Sequence, residues 1–361
     1  HWVAALADRF KPGSTRGYAF LVLAADIFAI FFLLMALRAL RQPLSRVLAY
    51  AWCPVLLKEL YCTLVVDAFV LAGLAAVVWF LVAGRRVWLA LPLAVCAALR
   101  PAMLLLVPPS LKRIGVFGLV IVAVLVAVPL LPFLDGSVPP DSYVQGNLYL
   151  WAHYEYNSFF ENLGRWVLRL TPMRAEQSLT VAGVELLQPG EKLGPLLAKL
   201  AGIIALLGVV SFATIRPATP SGVSKSVREG ALHDLFIVLV ALLVFTPILH
   251  PWHALWLLPI LVVRPAISWL ALPGLVSLSY LTHLHGPAAA DLAFPRGGLS
   301  FRVVEFGLFG TLWALDMLWR PVLFRHETVL APRPMPVITT EDMEFAQPEP
   351  EVPADAAPAH E

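Results

Sequence analysis

The stretch WCPVLLKELYCTLVVDAF, Trp52 to Phe69, sets three charges, Lys58, Glu59 and Asp67, in an otherwise apolar run. Charges inside a bilayer are costly; where they occur they face a bundle interior, pair with a partner and mark a functional position. The chain around this stretch reads as membrane-embedded. Its 361 residues are 59% hydrophobic and 14% charged, against roughly 25% charged in soluble domains, and its mean hydropathy is +0.78. Several runs reach the ~18–20 apolar residues that cross a hydrocarbon core. The fold expected is all-α, a polytopic transmembrane helical protein.

A hydropathy reading predicts about nine or ten membrane segments. Gly17 to Leu37 is the first, followed by Arg38, Arg41 and Arg46. Val47 to Leu60 is interrupted by the charge cluster, and Leu64 to Ala83 ends at Arg85-Arg86. Val87 to Val107 is broken near Arg100-Pro101, which predicts two half-helices; Lys112-Arg113 come next, then the span Ile114 to Leu131. Beyond a polar segment from Asp135 to Lys192 lie Leu196 to Ile215, Leu235 to Leu249, the short span in HPWHALWLLPILVVRP, Ile267 to Leu284 and Val303 to Trp319.

Lys/Arg-rich ends favour the cytoplasm. Placing the Arg38–Arg46, Arg85-Arg86, Lys112-Arg113, Lys225/Arg228, Arg264 and Arg320/Arg325 ends inside lets the segments alternate, provided the broken Val87–Val107 region returns to the cytoplasmic side. The turn between Glu59 and Asp67, the Asp135–Lys192 loop, His250–His253 and the His283–Arg302 loop then converge on the opposite face. The basic stretch DRFKPGSTR near the start falls outside and fits this arrangement poorly.

Two regions are expected: residues 1–331 as a transmembrane domain with an external loop 135–192, and residues 332–361 as an acidic Pro/Ala-rich cytoplasmic tail, too polar to bury a core. Within the external loop, NLYLWAHYEYNSFFENLGRWVLRL repeats its aromatic residues at roughly helical spacing, as an interfacial amphipathic helix does. A net charge of +2 is too small to suggest a nucleic-acid partner, and its distribution matters more than its sum; Cys53, Cys62 and Cys96 lack CxxC spacing, so neither a disulfide framework nor a zinc site is read from them.

Four groups of residues carry candidate chemistry. A turn between Glu59 and Asp67 would put both carboxylates at one membrane surface; the plainer reading is a Lys58–Glu59 interfacial pair with Asp67 capping the next helix. Arg100, midway along an apolar run, needs an anion or a carboxylate, and a guanidinium suits bidentate contact with phosphate. A structural ion pair with Asp26 or Glu59 would serve Arg100 equally. His250 and His253 flank Trp252 at a membrane edge, with metal-ligand spacing but no carboxylate nearby.

Taken together these motifs resemble the GT-C superfamily of multi-span glycosyltransferases, and within it the bacterial polyprenol-phosphate-mannose-dependent, mannosyltransferase-like branch. AWCPVLLKELYCTLVVDAF is similar to that branch's "AWNP…E…(N)…H-x-D-A-L" signature through Trp52, Pro54, Glu59 and Asp67. AALRPAMLLLVPP resembles its basic-residue-then-proline segment through Arg100. HYEYNSFFENL resembles its external W-x-x-N stretch through Tyr154 and Asn157, and TPILHPWHALWLLPIL its "SP…HPWYLLWLLP" through His250 and Trp252. Val65 stands where the family usually has histidine, Cys62 where asparagine is common, and His253 where tyrosine is usual.

The resemblance implies transfer of a hexose, mannose in the nearest branch, from a polyprenyl-phosphate-linked donor to a lipid or glycan acceptor on the non-cytoplasmic face of a bacterial inner (cell) membrane. Asp67 and Glu59 would be the catalytic carboxylates, and Lys58, Arg100, Tyr154, Asn157, His250, Trp252 and His253 the substrate-binding residues. Family members carry a catalytic acid in a loop after their first span. Only Asp8 precedes Gly17 here, so that acid is expected upstream of His1, in an N-terminally truncated chain. Sugar, acceptor and any divalent metal are left open by the residues. The partners implied are the lipid-linked donor and membrane lipids. Broken helices with mid-span charges also mark transporters and flippases, which is the alternative, together with a non-catalytic protein of the same fold.

Overall fold

The computed structural model describes residues 9, 15–85, 87–128, 131, 145–146, 148–151, 156–158, 174–191, 193–216, 224–280 and 301–323. The chain forms two units, His1–Ala314 and Leu315–Glu361; of the second, only helical residues Leu315–Leu323 are described. Tyr154, Asp8, most of the external loop and the tail 332–361 lie outside the described residues.

The described chain is predominantly helical. Helix α1 is Thr15–Ala39. Four short pieces follow: a 3-10 turn Leu44–Val47, α2 Leu48–Ala51, α3 Pro54–Leu57 and a π-helical turn Lys58–Cys62. Helix α4 is Asp67–Ala83 and α5 is Ala90–Leu99. Past a 3-10 segment Pro101–Leu106, α6 runs Val107–Ala127. A two-stranded antiparallel hairpin, β1 Leu179–Val181 and β2 Val184–Leu187, precedes α7 Gly194–Ile215 and α8 Ser224–Phe245. Short helices α9 Pro251–Ala254 and α10 Leu258–Val263, then α11 Ile267–Val276 and α12 Phe301–Leu323, complete the order.

Three helical stretches, Thr15–Ala39, Pro101–Ala127 and Gly194–Ile215, are long and apolar enough to cross a membrane. Each turns large apolar side chains outward: Ile27, Phe28 and Phe31 from the first, Val116, Phe117 and Val124 from the second, Ile204, Phe212 and Ile215 from the third. Water would penalise such faces, whereas lipid does not. The other apolar helices, including Asp67–Ala83, Val87–Leu99 and Pro251–Val263, are shorter. Prolines account for the breaks, because Pro54, Pro101 and Pro251 cannot continue a preceding helix. Interrupted helices are tolerated at membrane depth only when packed inside protein. Accordingly Leu255, Leu257, Leu258 and Leu261 are almost wholly buried.

Packing gives the direction of each segment. Tyr18 meets Phe69 at 6.4 Å between ring centroids, and Phe32 meets Trp79 at 5.5 Å, so α1 and α4 run parallel. Their basic ends, Arg38 and Arg85, therefore lie at the same end, and residues between them must return in pieces; the Val47–Leu60 run is interrupted as expected, but at Trp52–Cys53, ahead of Pro54, and not at the Lys58-Glu59 charges. Helices α4 and α5 run antiparallel: Asp67 meets Arg100, and Cys96 Sγ lies 3.5 Å from the Val70 carbonyl. This close approach needs Gly73, where an added Cβ would stand 2.4 Å from Cys96 Sγ.

The predicted break at Arg100-Pro101 is present, with Arg100 extended (φ −136°, ψ 101°) between helical pieces. The expected boundary at Lys112-Arg113 is displaced. Helix α6 passes through both residues and departs from helical geometry at Gly115 (φ 63°, ψ −173°), a backbone shape that glycine adopts without steric cost. Lys112 Nζ donates to the Arg216 carbonyl at 3.0 Å, so the C-terminal carbonyl of α7 is satisfied by a lysine from the broken region.

Candidate functional site

Two buried carboxylates organise one end of the bundle. The π turn Lys58–Cys62 carries Glu59 inward, and the turn closes when Thr63 Oγ1 donates to the Glu59 carbonyl at 2.6 Å. Leu64 then takes a left-handed conformation (φ 51°), strained for a residue with a Cβ, and α4 starts at Asp67 with the reversed direction. Glu59 and Asp67 thus end one segment and begin the next, as the turn reading predicts.

Glu59 is fully buried. Its Oε1 accepts from Lys58 Nζ and from Tyr280 Oη, each at 2.8 Å, and its Oε2 from Thr63 Oγ1 at 3.0 Å. The Lys58 ammonium also stands 3.9 Å over the Tyr280 ring, a cation–π contact. Asp67 is equally buried. Its Oδ1 accepts from Arg100 Nε at 3.2 Å and Trp256 Nε1 at 2.8 Å, and its Oδ2 from Arg100 Nη2. Arg100 therefore pairs with Asp67, correcting the expected pairing with Asp26 or Glu59: α4 and α5 are antiparallel, which sets the start of one beside the end of the other.

Exposure separates the two kinds of charge. The carboxylate side chains are 0% exposed, while Lys58 is 46% and Arg100 33% exposed. Buried charges need pairing and hydrogen bonds, and these two have both. What faces outward is cationic: an ammonium and a guanidinium, each fixed by a carboxylate behind it.

Asp26, midway along α1, is a third buried carboxylate. It accepts from Tyr61 Oη at 2.6 Å and lies beside the buried Tyr50. Tyr61 belongs to the same π turn as Glu59, so Asp26 moors that turn to α1.

The HPWH sequence builds the other wall. His250 is extended (φ −85°, ψ 156°) and caps α9, with Pro251 at the first helical position and His253 Nδ1 accepting from the His250 backbone N–H at 3.2 Å. The ring of His250 is sandwiched between Tyr156 at 4.2 Å and Trp252 at 4.1 Å. His253 packs at 4.7 Å on Trp256, whose indole N–H reaches Asp67. One His253 nitrogen is thus spent on helix capping, and among the described residues no three His, Cys, Asp or Glu side chains group to hold a metal ion.

Asn157, expected at the substrate, is buried, with its Nδ2 donating to Glu305 Oε1 at 2.8 Å. The segment holding it is stitched to the approach of HPWH: Tyr156 N–H donates to the Pro247 carbonyl at 3.1 Å, and Leu249 N–H to the Tyr156 carbonyl at 2.7 Å. Tyr156 Oη and Ser279 Oγ share a hydrogen bond of 2.9 Å.

The structure therefore brings Lys58, Glu59, Asp67, Arg100, His250, Trp252, His253 and Asn157 into one connected region. Trp256, Tyr280, Thr63, Tyr156 and Glu305 belong to it although sequence reading passed over them. Trp256 stands three residues beyond His253 in a helical run, a spacing that already places the two on one face. Tyr280 and Glu305 lie in apolar segments remote in sequence, and only the folded chain shows their partners.

Compared with protein families, curated proteins and solved structures, the chain matches none.

Proposed function

We propose that the chain acts in a membrane-embedded glycosyltransferase of GT-C type, with about nine or ten membrane segments, moving a hexose, mannose in the first instance, from a polyprenyl-phosphate-linked donor to a lipid or glycan acceptor on the non-cytoplasmic face of a bacterial inner membrane. The observation that carries this reading is the Arg100 guanidinium, oriented by the buried Asp67 and partly exposed, as Lys58 is on the buried Glu59. Such cations, fixed before substrate arrives, suit a lipid phosphate and stabilise the charge left on it as the sugar departs. The sandwiched His250 and Trp252 offer an aromatic wall. Each carboxylate is ringed by three donors, so Asp67 and Glu59 serve chiefly to hold Arg100 and Lys58 in place.

The test uses the protein reconstituted in proteoliposomes with radiolabelled polyprenyl-phosphate-mannose and a membrane-lipid extract as acceptor source. Wild type binds the lipid phosphate and transfers label. Arg100→Ala reduces transfer by about a hundredfold, the scale of losing one electrostatic contact to the transition state; Lys58→Ala has a smaller effect. Absence of both binding and transfer by wild type overturns the proposal. The helix interrupted at Arg100 favours a second reading, transport of a lipid-linked anionic substrate. Movement of the labelled lipid between leaflets without any new product would select it.

A further inference from the structure

We propose that Glu305 is a positioning residue for the candidate site, acting through Asn157 to hold the Tyr156–His250–Trp252 stack; this rests on the function proposed above. Glu305 lies on α12 and is 0% exposed, and Asn157, which donates to it, is 3% exposed. Neither touches Arg100 or Lys58 in the contacts described above. What they hold is backbone. Asn157 has φ 51°, a left-handed conformation that asparagine tolerates better than most residues but that still costs energy. Conformations of this kind persist only where surrounding contacts over-determine them.

Here those contacts are identifiable. Asn157 and Tyr156 both bridge to Ile248, and Tyr156 exchanges backbone hydrogen bonds with Pro247 and Leu249 on either side of it. The strap Tyr156–Asn157 thus lies along Pro247–Leu249, immediately before His250. Its orientation decides where the Tyr156 ring falls, and that ring packs one face of the His250 imidazole while Trp252 packs the other. The Asn157 amide links this strap to α12. Deleting that link removes the side-chain tie that holds Asn157 in its left-handed conformation and loosens the end of the strap behind the Tyr156 ring, which keeps its own bonds to Pro247, Leu249 and Ser279; the Asp67–Arg100 pair is untouched.

The expected kinetic signature follows. Binding of the lipid phosphate depends on Arg100 and Lys58 and stays within twofold of wild type in Glu305→Ala. Turnover, which depends on the aromatic wall being in place, falls about tenfold, so kcat drops with KM nearly constant. Asn157→Gly, which accepts the positive φ but removes the amide, gives the same loss. Adding Asn157→Gly to Glu305→Ala costs little further, because the link between the two is already broken. Glu305→Gln, whose carbonyl still accepts from Asn157, recovers most of the rate.

These variants are measured in the proteoliposome assay, with lipid-phosphate binding and transfer recorded separately. Wild type that neither binds nor transfers defeats the function proposed above. Wild type that transfers while Asn157→Gly matches it defeats the positioning role of Glu305 alone. Losses that add in the double variant, or a Glu305→Gln enzyme as slow as Glu305→Ala, also defeat it. Should Glu305→Ala fail to fold, Asn157→Gly and Glu305→Gln decide the matter between them.

Discussion

Arg100 and Asp67, thirty-three residues apart, meet through two guanidinium nitrogens and both carboxylate oxygens, with the carboxylate fully buried and the guanidinium partly exposed. Breaking a buried pair by removing one partner costs more than removing both, because an uncompensated charge is left behind. Arg100→Ala, which strands the buried Asp67 carboxylate, should destabilise the protein by about 3–5 kcal/mol, and Asp67→Asn, which leaves a partly exposed guanidinium, by less. The double variant should cost clearly less than the sum. Thermal or denaturant unfolding in detergent checks this, and additive losses would contradict the pairing.

Trp256 donates its indole N–H to Asp67 Oδ1 at 2.8 Å. Trp256→Phe keeps most of the ring packing and removes that donor. A hydrogen bond to a charged group contributes about 1.5–3 kcal/mol, and a loss in that range is expected. In an Asp67→Asn background the same change should matter less, which a double-mutant cycle measures.

Tyr61 hydrogen-bonds Asp26 at 2.6 Å and thereby ties the π turn to α1. Tyr61→Phe leaves a buried carboxylate short of a donor and should cost about 1–3 kcal/mol. Asp26→Asn in the same protein should recover part of it, since the amide needs less compensation. Equal stability of Tyr61→Phe and wild type in a melting experiment would show that the turn is held elsewhere.

Gly73→Ala puts a methyl 2.4 Å from Cys96 Sγ. Overpacking of this kind costs about 1–3 kcal/mol. Cys96→Ala removes the sulfur and should rescue Gly73→Ala, although on its own it opens a small cavity. Rescue, measured as a melting temperature restored toward wild type, is the result that identifies the contact.

Much of the architecture is legible in the sequence because it is written in local breaks. The proline after Arg100 interrupts an apolar run and marks a real interruption of helix, whereas the chain stays helical through Lys58 and Glu59, passing only from α to π, and the Val47–Leu60 run breaks instead at Trp52–Cys53, before Pro54. HPWH likewise announces a helix start, with Pro251 in the first turn. What composition leaves open is who meets whom. Helix α4 is apolar on all sides, so periodicity does not say which face meets α1 and which meets α5. Sequence offered Arg100 either Asp26 or Glu59 as a partner, whereas the antiparallel packing of α4 on α5 sets Asp67 beside it. Glu305 and Tyr280 sit within apolar segments remote from the charges they serve. Lys112 and Arg113 read as a segment end, whereas the bend comes two residues later, at Gly115.

The packing of Cys96 beneath Gly73 has a practical corollary. Cys96 is buried and Cys53 half-buried, while Cys62, at the end of the turn that carries Glu59, is exposed. Among the described residues the chain thus offers one readily accessible thiol, three residues beyond Glu59 on the same turn. A membrane-impermeant maleimide applied to sealed vesicles of known orientation would mark Cys62 from one side only. The unaltered protein is therefore its own sidedness probe, and labelling from the cytoplasmic side would turn the site to face the other compartment.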